Sequence, residues 1–358
     1  MKSASLLFLA LTVLARAGES ALPDYVAPPE KLSGVIRNHG NAFAGLLKRW
    51  EAAFQRHHPD VTFADTLPTS DAAFPALITG VTDLAPNGSE PALTETLAFF
   101  EVYGYHATSI AVASGTFDTE GRSPGVVVFV HQDNPITQLT LAQLDGIFGS
   151  ERSGGLRGFK WSPEDARGPE ANLRTWDQLG LKGEKWTGRA IQTYGHAPSG
   201  ASRFFQYHIL KNSDKWAPNY RGYVETGSKM IGDSDKQTQR LGIRSMLENE
   251  LARNPLGIAW TIMPQAKGIA GIKPVALARD ERGPYVLPSM QSFQDRSYPL
   301  VRSIYIYLNR KPGTAVEPRL REFLRFILSR EGQQIVAEGS GFLPLPAADV
   351  TAQRAKLD

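Results

Sequence analysis

Three short polar runs carry residue types suited to holding an anion: Gly40-Asn41-Ala42, Thr69-Ser70-Asp71 and Pro198-Ser199-Gly200-Ala201. Each joins hydroxyl or amide side chains to small residues, and each precedes a stretch with helical apolar spacing. A helix start leaves backbone N–H groups unpaired and presents the positive end of the helix dipole. Several such starts aimed at one point make an anion cradle that needs no catalytic group. The richest run is Gly195–Leu210, GHAPSGASRFFQYHIL, in which Ser199 or Ser202 caps a helix whose broad face holds Phe204, Phe205, His208 and Ile209. By itself that segment also fits an ordinary capped helix. His196 sits in the same turn, where it is either structural or, if protonated, a donor to the anion.

Other chemistry has little support. The chain has no Cys, so it lacks a thiol nucleophile and a thiolate metal site. It shows neither a Gly-x-Ser-x-Gly elbow nor an HExxH motif. His57 and His58 are adjacent, so their side chains diverge on a helix and do not share a metal. No catalytic residue, metal or cofactor is expected. Phe43, Trp260 and Tyr305 read as core aromatics rather than ligand stackers.

These runs need a scaffold to position them. With 358 residues, 42% hydrophobic and 21% charged, the chain is long enough for two domains with real cores. Lys2, the apolar run Leu6–Leu14 and Ala15-Arg16-Ala17 have the form of a secretory signal peptide, residues 1–17, cleaved before Gly18. The apolar run is too short to span a membrane. The absence of Cys also rules out a lipoprotein anchor, which points to a free periplasmic protein. The formal charge of +3 falls toward neutrality once Lys2 and Arg16 are removed, and no basic stripe suggests nucleic acid.

Strands are expected at Leu32–Ile36, Val61–Phe63 and Asp83–Ala85. Helices lie between them, one carrying Phe43, Leu46, Leu47, Trp50 and Phe54, the next opened by Ser70-Asp71. That βαβαβ order implies a parallel sheet covered by helices. Gly125–His131, GVVVFVH, reads as a buried strand, and Thr140 caps the helix after it. Gly149–Asn172 reads as a surface insertion, Tyr298–Leu308 as a returning strand and Glu317–Glu338 as one long helix.

Four stretches in this order resemble the phosphate-binding proteins of ABC transporters, the PstS-like family. They are VVVFVHQDNPITQLTLAQLDGIFG, LGIAWTIM, SYPLVRSIYIYLN and FLRFILSREGQQIVAEGSGFLPLP. The resemblance implies an α/β fold, the two-lobed type II periplasmic binding protein, with the ligand in a cleft between lobes. Lobe 1 is expected to hold residues 31–107, lobe 2 residues 108–274, and residues 275–358 return to lobe 1. The implied role is capture of a small oxyanion, phosphate first, for a membrane ABC permease, by a protein that acts as a monomer. The alternative is a related binding or scaffold protein with an altered or lost site.

The family's ligand positions carry over unevenly. Its first-loop Thr and the following backbone N–H match Asn41 and Ala42, and its second-loop Ser matches Ser70. Its Asp, which accepts the phosphate proton, matches Gly88. Its Arg matches Gly195, and its Ser-Gly-Thr matches Ser199, Gly200 and Ala201. Arg203 is expected to return a guanidinium to the cleft, unless it points to solvent or pairs with an acid. Asp71 is the candidate replacement for the lost carboxylate, or simply a helix-start carboxylate.

Overall fold

The computed structural model describes residues 22–157, 160–225 and 242–358. The signal-peptide expectation for residues 1–17 lies outside them. Among the described residues no helix is long and apolar enough to cross a membrane.

Two α/β lobes share the chain. In the first, Gly34–His39 and Val61–Thr66 pair in parallel, with Gly34 opposite Val61 and His39 opposite Thr66. A parallel bridge from Asn38 to Leu84 carries the sheet to Ala85–Asn87. Ser303–Leu308 then lies antiparallel between Ala85–Asn87 and Thr108–Ser114. The helix Leu46–His57 buries Leu46, Leu47, Trp50, Ala53 and Phe54 against this sheet. Trp50 Nε1 also donates to Gly332 O at 2.8 Å, tying that helix to the C-terminal segment.

The second lobe has the strand order Arg221–Tyr223, Gln192–His196, Gly257–Ile262, Val126–His131, Ile272–Pro274. Every residue of Val126–His131 is buried, as expected of a central strand covered on both faces. Its neighbours on either side run antiparallel to it, so this sheet is mixed rather than wholly parallel.

The sheets move the expected lobe boundaries. Thr108–Ser114 falls within the expected lobe 2, yet its pairing with Ser303–Leu308 puts it in the first sheet. Ala276–Ala278 pairs with Gln138–Thr140, and Phe293, Tyr298 and Leu300 pack in the second core. We therefore place the crossings near residues 115 and 302, where Gly115 N donates to Arg302 O at 2.9 Å. Partners some 190 residues apart decide these edges, and local periodicity carries no trace of them. The long terminal helix is in fact two, Pro318–Ile327 and Arg330–Ala337. Leu328 leaves helical geometry, and Ser329 caps the second helix by accepting from Gly332 N.

One buried carboxylate makes the first lobe sensitive to pH. Glu51 accepts from Asn38 and pairs with Lys48 at 2.9 Å. Burial pushes its carboxyl up to about 7; the Lys48 ammonium opposes this and the Asp65 carboxylate adds to it. A raised folded-state value means the native state binds the extra proton between pH 4.5 and 7, so stability falls as pH rises through that window. Thermal melts should show Glu51→Gln flattening this decline, with a difference approaching roughly 3 kcal/mol above pH 7 and vanishing near pH 4. Parallel pH profiles for the two proteins would refute the assignment.

Candidate anion-binding cleft

The loop after the first strand is shaped by close backbone approach. Gly40 has φ +147°, and a Cβ there would sit 2.2 Å from Pro86 O. Only glycine fits. Gly40 N donates to Thr66 O, and Asn41 N to Pro86 O at 2.8 Å, which locks this loop to the loop after Ala85–Asn87. Ala42 has helical backbone angles, whereas Phe43 and Ala44 have φ of 48° and 49°.

Asn41 braces the next element. Its Oδ1 accepts from Phe43 N at 2.7 Å, and its Nδ2 donates to Ser70 Oγ at 3.0 Å. Ser70 Oγ accepts a second bond, from Gly88 N at 3.0 Å. With both acceptor positions used, the Ser70 hydroxyl keeps its proton for donation. The N-cap of this helix is Thr69, whose Oγ1 accepts from Asp71 N, rather than Ser70 or Asp71. Ser70 is thereby released from capping. Gly88 completes the cluster: a Cβ there would lie 3.4 Å from both Asn41 Nδ2 and Ser70 Oγ, and 3.3 Å from Ser123 Oγ.

The second lobe presents the helix Gly200–His208. Ser199 is its N-cap, accepting from Ser202 N at 3.2 Å, while Ser202 Oγ accepts from Ser199 N at 2.6 Å. Gly200 and Ala201 are the first two helical residues, whose N–H groups have no partner within the helix. Gly200 faces the other lobe, and a Cβ there would lie 3.8 Å from Ser89 Cβ and 3.5 Å from Arg302 Nη2. Ser89, next to Gly88 in the chain, thus lies against the Gly200 helix start of the second lobe.

The two expected charged residues, one from each lobe, approach each other. Arg203 Nη2 is 3.6 Å from Asp71 Oδ1 across the cleft, with the Asp71 side chain 74% exposed. Asp71 is therefore not a buried acceptor. His196 is buried, bonds Thr261 Oγ1 at 2.9 Å and stacks on Trp260. Burial, aided by the charge of Arg302, lowers its pKa to about 3, so it remains neutral. Trp260 is fully buried, in keeping with its reading as core.

Sequence reasoning missed the deepest cation. Arg302 is only 6% exposed, its guanidinium lies 5.7 Å from the Phe204 ring centre, and its Nε has no hydrogen-bond partner among the described residues. Burial pulls its pKa down while Glu90 and Glu225 push it up; an arginine stays charged throughout. The signal was a charged residue inside the apolar run Tyr298–Leu308. Glu90 and Ser89 were missed as well. At Gly195, the position matched to the family's Arg, a Cβ would fall 2.4 Å from Trp260 Nε1 and 2.6 Å from Tyr220 OH. No long side chain fits that position.

Comparison with known proteins agrees with this architecture. The profile of the PBP superfamily domain matches residues 39–331. The chain is similar to the phosphate-binding protein PstS of Pseudomonas aeruginosa strain PAO1, 30% identical, covering 96% of this chain and 94% of that one. It is also similar to PstS of Staphylococcus saprophyticus, 24% identical over 92% and 86% of the two chains. Among solved structures, PstS from Borrelia burgdorferi shares the fold with a TM-score of 0.51 at 13% identity, covering 87% of this chain and 99% of that one.

Proposed function

We infer the function from the premise that this chain belongs to the PBP superfamily and, within it, to the PstS-like phosphate-binding proteins: it captures phosphate in the interlobe cleft and delivers it to an ABC permease. Two observations support this reading: Ser70 and Gly88 are hydrogen-bonded at one loop cluster of the first lobe, and the Gly200 helix start of the second lobe lies against Ser89 and the buried Arg302. Phosphate receives the Ser70 and Ser199 hydroxyls, the N–H groups of Gly200 and Ala201, and the Arg302 guanidinium. Bonds to a charged group contribute about 1.5–3 kcal/mol each, so five or six suffice for micromolar binding after the cost of association.

Asn41 and Ala42 shape the first loop, Asn41 through its bond to Ser70. Arg203 and Asp71 close the rim from opposite lobes. The protein works as an exported, periplasmic monomer. It binds its solute and performs no chemistry on it.

Calorimetry on refolded, ligand-stripped protein tests the reading. Phosphate should bind at micromolar concentration or below, and Ser199→Ala should weaken it about tenfold. No heat from phosphate at millimolar concentration would overturn the function and leave the fold standing. The rim pair should matter far less, because half-exposed ion pairs contribute about 0–1 kcal/mol. Asp71→Asn and Arg203→Ala should each change phosphate affinity less than about fivefold. A larger loss would move Arg203 into direct contact with the anion.

A further inference from the structure

Next to the cleft lies a chamber for which a tetrahedral oxyanion has no use. It has a volume of about 190 Å³ and is walled by Phe74, Phe99, Tyr207, Tyr305 and Tyr307, with Glu90 as its acidic member. Glu90 is 8% exposed, and its Oε2 has no hydrogen-bond partner among the described residues. Its Oε1 accepts from Tyr305 OH at 3.4 Å and lies 3.9 Å from His208 Nε2. Burial would raise its pKa, but His208 and Arg302 outweigh it and hold the carboxyl below its usual range. The chamber thus combines aromatic faces with one ionised carboxylate, which His208 and Arg302 also approach.

That lining discriminates among occupants. A hard metal ion needs six or more oxygen ligands, and these walls are mostly rings. A neutral hydrocarbon would use the rings alone and gain nothing from the carboxylate beside them. A cation with an apolar skin satisfies both features, since its charge meets the carboxylate and its methylenes or methyls meet the ring faces.

We propose that this chamber binds an organic ammonium group. Ser89, the residue before Glu90, lies across from Gly200 at 3.8 Å from a Cβ placed there. The chamber therefore adjoins the anion cleft. The ammonium belongs either to a free amine or to the tail of a molecule whose phosphoryl or phosphonyl head occupies the cleft. The second arm rests on the phosphate reading above.

Calorimetry with phosphate, ethylphosphonate, 2-aminoethylphosphonate and ethylammonium separates these cases. The zwitterion should bind at least tenfold tighter than ethylphosphonate, and both Glu90→Gln and Tyr207→Ala should erase the difference. Tyr207 is 43% exposed, so its replacement keeps the test open if the buried Glu90 variant fails to fold, and phosphate affinity should be unchanged in it. Ethylammonium binding alone, lost in Tyr207→Ala, would support the chamber with a free amine as occupant. Equal affinity for the two phosphonates together with no ethylammonium binding would overturn the proposal, even where phosphate itself binds. If phosphate also fails to bind, the anion reading falls separately and the ethylammonium arm alone decides the chamber.

Discussion

Arg302→Met should lower phosphate affinity at least a hundredfold. The guanidinium is the buried cation facing Gly200. Two charge-assisted bonds at about 1.5 kcal/mol or more each amount to roughly 3 kcal/mol, or about two orders of magnitude in dissociation constant. The variant also removes the positive charge near Glu90 and Glu225, and burial already raises the pKa of Glu225. Some loss of stability should accompany the loss of binding, so affinity must be measured well below the melting temperature. Arg302→Lys keeps the charge but not the forked geometry and should retain part of the affinity. A folded Arg302→Met protein that binds phosphate as tightly as the parent would remove Arg302 from the site.

Gly40→Ala should be the most damaging small substitution in the cleft. The added methyl would sit 2.2 Å from Pro86 O, at a φ of +147°. Both the clash and the backbone strain fall on main-chain atoms, where no side chain can swing aside. A cost of about 3 kcal/mol corresponds to a fall of roughly 6–12 °C in the melting temperature of a lobe this size. The shift would also part Asn41 N from Pro86 O and disturb the bond from Asn41 to Ser70, so phosphate binding should weaken in the fraction that folds. A melting temperature within 2 °C of the parent would show that the loop is not held by this contact.

What the sequence displayed openly was local. The run GVVVFVH is buried at every position from Val126 on because both faces of a central strand are covered. Ser199 caps its helix because a Ser before small residues can accept from the third N–H group. Ser70, Asn41 and Gly88 came together because each ends a strand or opens a helix of one sheet, where loops gather at one edge. The rest depends on partners far away in sequence. Arg302 stands at the second crossing, and its place beside Gly200 follows from how Ser303–Leu308 returns to the first sheet. The vacancy at Gly195 gave no clue to its cause, because Trp260 and Tyr220, which close it, come from other segments. Arg203 and Asp71 had the right residue types, but that they meet each other across the lobes could not be read from local sequence. The break at Leu328 was hidden by apolar spacing that continues through it, although Ser329 three residues before Gly332 is an ordinary capping position.

The most direct test of the central claim is a crystal structure of the ligand-stripped protein after addition of phosphate. The anion should appear between the lobes, within hydrogen-bond distance of Ser70 Oγ, the N–H groups of Gly200 and Ala201, and the Arg302 guanidinium. Phosphate bound elsewhere, or a cleft that stays without it at millimolar concentration, would contradict the account.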